Sequence, residues 1–125
     1  MDQSTTSDSQ PYGLTDLQAE LRAFREERDW AKFHDPKSLI LALVGEVGEL
    51  AELFQWIPAD RAVAAFGEGL KQQRAAEEMS DILIYLLGLA DVLDVDLLVA
   101  ARSKLAASRQ RFPADELRGV APEKH

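Results

Sequence analysis

Residues 39–56, LILALVGEVGELAELFQW, decide how this chain folds. Ile40, Leu43, Val44, Val47, Leu50, Ala51 and Phe54 recur at helical intervals and make a broad apolar stripe, with Glu46 and Glu49 beside its edge at about 100° per residue. A second stretch, residues 75–93, AAEEMSDILIYLLGLADVL, repeats the design: Met79, Ile82, Leu83, Leu86, Leu87 and Ala90 form the expected buried face, flanked by Glu78 and Asp81. Residues three apart on a helix lie one above the other, so each acidic pair presents two carboxylates on one face. Bringing the two faces together makes a site for a hard cation.

A carboxylate beside a packed apolar stripe must be paired, protonated or bound to metal. No Lys or Arg lies between Ser38 and Trp56 to pair with Glu46 or Glu49. The chain has no Cys, and neither His stands at ligand spacing, so the four carboxylates favour Mg²⁺ or Mn²⁺ over zinc or copper. A di-iron carboxylate bundle would need Glu-x-x-His pairs, whereas the residues three after Glu46 and Glu78 are Glu49 and Asp81.

Working outward, Asp35 before Pro36 reads as a helix start, with the side chain capping and the proline in the first turn. Pro58 ends that helix near Trp56. Upstream, Thr15 and Gln18 have capping-box spacing, and Leu17, Leu21, Phe24 and Ala31 predict a first helix over about residues 16–33. A short helix over 60–66 is followed by Gly67 and Gly69, a long helix over about 71–93, and a fourth, capped by Asp94 or Asp96, to about Arg111. Gly45 and Gly48 interrupt the second helix and imply close approach by a ligand or a neighbouring helix. The expected architecture is an all-α, four-helix bundle-like fold, oligomeric because apolar surface is left over. Residues 1–13 read as a disordered leader, 14–113 as the helical domain and 114–125 as a polar tail.

The net charge of −8 opposes binding to nucleic acid or an anionic membrane. Acidic residues interrupt both long apolar segments, at odds with a membrane span. No n-region, apolar h-region and cleavage site open the sequence, so a cytoplasmic location is expected. Neither a GxxxxGK[ST] loop nor a GxGxxG turn is present to hold a nucleotide.

The string ERDWAKFHDPKSLILALVGEVGELAELFQW, with EEMSDILIYL downstream, resembles the all-α nucleoside triphosphate pyrophosphohydrolases of the MazG superfamily, and within them the dCTP pyrophosphatase group. The superfamily pattern, ExxE, a spacer and ExxD, is matched by Glu46, Glu49, Glu78 and Asp81. The resemblance implies Mg²⁺-dependent hydrolysis of a nucleoside triphosphate to the monophosphate and pyrophosphate, a house-cleaning role, the four carboxylates as metal ligands, and a homotetramer. A carboxylate not fully used by metal could accept the attacking water's proton, and Glu49 is the candidate catalytic base. The resemblance further implies Trp30 and Trp56 stacking on the base and Tyr85 contacting phosphate; Lys104, where the family also has Lys, is a candidate contact to phosphate or base, and Arg109 or Arg111 a candidate contact to phosphate. Leu21 and Ser108 depart from the dCTP group, which carries a His and an Asn there, so the preferred base stays open. The competing reading is a non-catalytic helical protein that senses nucleotides or mediates interactions.

Overall fold

The computed structural model describes residues 11–121. Four long helices carry it: α1 (Leu14–Glu27), α2 (Pro36–Phe54), α4 (Gly69–Val92) and α5 (Leu97–Arg111). Two single-turn helices, α3 (Ala62–Ala65) and α6 (Ala114–Leu117), fill the connection before α4 and the start of the expected polar tail. Among the described residues there is no strand. The expected leader lies outside the described residues over 1–10, as does the tail over 122–125.

Three helix starts show why these segments fold where they do. The Asp35 carboxylate accepts the Ser38 N–H at 2.9 Å and the Ser38 hydroxyl at 2.8 Å, with Pro36 in the first turn. These bonds hold the Asp35 carboxyl below its ordinary range. Asp96, rather than Asp94, caps α5 by accepting the Val99 N–H at 3.1 Å. At α1 the cap is the extended Gly13, whose N–H donates to Asp16 at 2.8 Å, so the Thr15–Gln18 capping box does not form.

The first helix also ends earlier than its periodicity suggests. Asp29 adopts a left-handed backbone, φ 54°, while the Trp30 N–H bonds the Arg25 carbonyl at 2.9 Å and the Asp29 N–H bonds that of Glu26 at 3.1 Å. This is a Schellman stop with Asp in place of the usual Gly. Residues Ala31–Phe33 form only a 3₁₀ turn beyond it. Asp94, φ 57°, ends α4 in the same way, with the Val95 N–H on the Ala90 carbonyl.

Helices α2 and α4 form the principal packed pair; α1 lies on α4, and α5 leans on α1. The buried apolar side chains among the described residues are Leu39, Ala75, Leu87 and Ala90, of which Leu87 is fully enclosed. Two expectations about burial are corrected. Met79 is 53% exposed: it shares a face with Ala75 and Leu86, but no described element covers it. Likewise Ile40, Val44, Val47 and Ala51 of the α2 stripe are exposed, because the stripe is wide enough for two neighbours and α4 covers one side. A Cβ at Gly45 or Gly48 would meet nothing within 4 Å, so no neighbouring helix among the described residues makes the close approach expected there.

Candidate active site

The pairing of α2 with α4 brings the acidic edges together. Carboxylate oxygens of Glu46, Glu49 and Glu78 lie within 4.8 Å of one another, and Asp81 meets Glu46. None of the four is ion-paired among the described residues; the cations Arg22, Arg25, Arg28 and Lys32 serve Asp91, Glu27 and Asp29 instead. Burial first, and then contact with Asp81 and Glu49, pushes the half-buried Glu46 carboxyl up to about 7. An uncompensated cluster of hard oxygen donors on two rigid helices fits a divalent cation.

Beside the cluster opens a cavity of about 420 Å³ between α1, α2 and α4. Asp81 and Tyr85 line it next to the carboxylates. Leu17, Leu21, Phe24, Trp30, Leu39 and Ile84 supply apolar wall, and Glu20, Arg25, His34 and Gly88 complete the lining. Trp30 is placed by the Schellman stop: three residues past Glu27, it packs edge-on against Phe24 in the last turns of α1, with centroids 5.6 Å apart at 76°. Glu20 accepts a hydrogen bond from the Tyr12 hydroxyl, which holds that phenol up at about 12. A separate hollow of about 300 Å³, lined by Phe112, Ala114, Leu117, Arg118 and Val120, carries no acidic group.

Among the expected site residues, then, Glu46, Glu49, Glu78 and Asp81 converge, and Trp30 and Tyr85 join them through the cavity. Trp56, Lys104 and Arg109 do not line this cavity within one chain: Trp56 is 86% exposed beyond α2, and the other two are exposed on α5. Ser108 is half-buried on α5 and also lies off the cavity. His34, which lines the cavity, has a buried Nδ1 without a partner among the described residues.

Three residues that matter here were not singled out from the sequence. Arg25 is 9% exposed; its Nη2 donates to Asp91 at 3.0 Å, and Asp91 also takes Arg22 at 2.5 Å. Both guanidiniums hold the Asp91 carboxyl below its ordinary range, Arg22 chiefly. Gly88 makes room for Arg25, since a Cβ there would stand 3.0 Å from Nη1. The available signals were an Arg one turn after Leu21 on the same face and a Gly three residues before Asp91 inside an apolar helix.

No family model matches the chain. It is 46% identical over 108 residues to dCTP pyrophosphatase 1 of Bos taurus and 49% identical over 102 residues to that of Homo sapiens, covering 86% and 81% of this chain. The chain spans 64% and 59% of the length of those relatives. Among solved structures it is similar to a pyrophosphatase from Archaeoglobus fulgidus, with a TM-score of 0.73 and 33% identity, covering 83% of this chain and 95% of that one. Since that likeness runs through nearly the whole of a solved pyrophosphatase, the chain belongs to the all-α pyrophosphohydrolases of the MazG superfamily.

Proposed function

We propose that the chain hydrolyses a pyrimidine deoxynucleoside triphosphate, dCTP or a related nucleotide, to the monophosphate and pyrophosphate, with Mg²⁺ as cofactor and Mn²⁺ as a substitute. The observation that carries this reading is the convergence of three carboxylates within 4.8 Å, joined through the contact of Glu46 with Asp81 to a largely apolar, aromatic-walled cavity that Asp81 lines. Such a cavity suits a base and sugar, while the acidic end suits a triphosphate only through a cation. When bound, Mg²⁺ would offset the charge of carboxylates and phosphates and acidify water.

The residues have separable tasks. Glu46, Glu49, Glu78 and Asp81 would hold the cation. Glu49, the exposed member of the triad, takes the proton of the attacking water as its oxygen bonds to phosphorus at the α–β link; the bridging P–O bond breaks and pyrophosphate leaves. The Tyr85 hydroxyl donates to a phosphate oxygen, and Trp30 packs on the base.

The functional unit in this proposal is a homo-oligomer, the tetramer implied by the family resemblance. A second copy would cover the exposed Leu41, Val44, Met79 and Val99 and bring Trp56, Lys104 and Arg109 to the substrate. No helix among the described residues is long and apolar enough to cross a membrane, and a cytoplasmic role in the nucleotide pool accords with this reading. The test is pyrophosphate release from deoxynucleoside triphosphates with and without Mg²⁺, together with the mass of the protein in solution. A monomer with full activity would overturn the oligomeric part; absence of nucleotide monophosphate would overturn the rest.

A further inference from the structure

The cavity has two ends of opposite chemistry. Asp81 and Tyr85 mark the phosphate end in the reading above, on which this inference rests. Gly88 lies seven residues beyond Asp81 along α4, about 10 Å up the helix axis at the usual rise per residue, with Tyr85 between them. Across from Gly88 lies the Arg25 guanidinium, buried to 9% exposure and forming the far wall.

Burying a guanidinium is costly unless it is paired, and Arg25 is only half paired. Its one partner, Asp91, is shared with Arg22, so the group of three carries a net positive charge. Nη2 donates to Asp91, whereas Nη1 makes no hydrogen bond among the described residues and is not sealed from solvent. The adjoining His34 Nδ1, buried and unpartnered, leaves further hydrogen-bonding capacity unused at the same end. Leu21, one turn before Arg25, offers none.

From this placement we infer that Arg25 is the base-reading residue of the cavity and selects a pyrimidine with a carbonyl at C4, the uracil or thymine type, over cytosine. C4 lies across the ring from the nitrogen that carries the sugar, so its substituent reaches deepest when the phosphates sit at Asp81. A guanidinium donates and never accepts. It therefore gains a charge-assisted hydrogen bond to a C4 carbonyl and meets a C4 amine donor to donor. Glu20, the acceptor on the cavity wall that an amine could use, already accepts from Tyr12. Asp91 positions the guanidinium, and Gly88 admits it.

The test uses the full chain with Mg²⁺. kcat/KM is measured for dUTP, dTTP and dCTP, and equilibrium binding for dUMP and dCMP, with wild-type protein and with Arg25→Gln, whose amide both donates and accepts. The expected result is a preference for dUTP and dTTP over dCTP of about tenfold or more, the scale of one charged hydrogen bond, with dUMP binding tighter than dCMP. Both ratios should fall toward one in Arg25→Gln. Equal or better use of dCTP by the wild type overturns the inference, as does a uniform loss on all substrates in the variant, which marks Arg25 as structural. If a dCTP preference disappears in Glu20→Gln, Glu20 is the reader instead. If no triphosphate is hydrolysed, the pyrophosphohydrolase reading falls while the ratio of dUMP to dCMP binding still decides the role of Arg25; binding of neither overturns both.

Discussion

The carboxyls of Glu46 on α2 and Asp81 on α4 meet across the interface of the two helices, with the Glu46 carboxyl pushed up to about 7. Helix packing thus holds a carboxyl that resists ionisation. The site is chemically incomplete on its own.

The sign of the pH dependence follows from that shift. A carboxyl raised from 4.5 favours the metal-free fold fully below about 4.5, and this contribution is lost as pH rises through about 7. A cation needs the ionised form, so affinity for Mg²⁺ or Mn²⁺ should rise through the same window, with proton release. Titration calorimetry in two buffers of different ionisation enthalpy measures both. Glu46→Gln should abolish the proton release; a flat affinity profile for the wild type would contradict the assignment.

Glu49→Gln and Asp81→Asn should each abolish most turnover, by about a hundredfold or more if a base or ligand is lost. Both side chains are exposed, so thermal midpoints should stay close to wild type. Full activity in either variant would remove that residue from the chemistry.

The two tryptophans should behave differently. Trp30 packs on Phe24, so Trp30→Ala should lower stability by about 1 kcal/mol and also weaken substrate binding. Trp56 is 86% exposed, so Trp56→Ala should leave the folded chain alone but weaken substrate binding by about 1 to 3 kcal/mol if an assembly brings it to the base. Denaturant melts and Michaelis constants separate these effects.

Asp29→Gly should stabilise the protein by about 0.5 to 1 kcal/mol, because Asp29 sits at φ 54° where glycine is unstrained. Equilibrium unfolding checks this, and a loss of stability would show that the exposed contact from Lys32 to Asp29, at 3.0 Å, outweighs the strain.

The same residue shows where sequence reading succeeds and stops. Asp35–Pro36 and Asp96 carry their capping chemistry in plain view, and both helices start where expected. The stop at Asp29 was hidden, since a left-handed Asp has no signature comparable with glycine, whereas α4 ends within a residue of where it was expected. Both carboxylate pairs were legible from spacing alone, because a helix fixes which residues share a face. Met79 and the exposed half of the α2 stripe were misplaced for a different reason: hydrophobic periodicity says that a face is to be covered, not by what. Arg25 escaped notice because its burial depends on Gly88 and Asp91, more than sixty residues away in sequence, which become its neighbours only when α1 packs on α4.

The most direct test of the central claim identifies the products when a pyrimidine deoxynucleoside triphosphate is incubated with the protein, with Mg²⁺ and then with excess chelator. The expected result is nucleoside monophosphate and pyrophosphate in equal amounts with Mg²⁺, and neither with chelator. Nucleoside diphosphate with orthophosphate, turnover that survives the chelator, or no product from any of these triphosphates would contradict it.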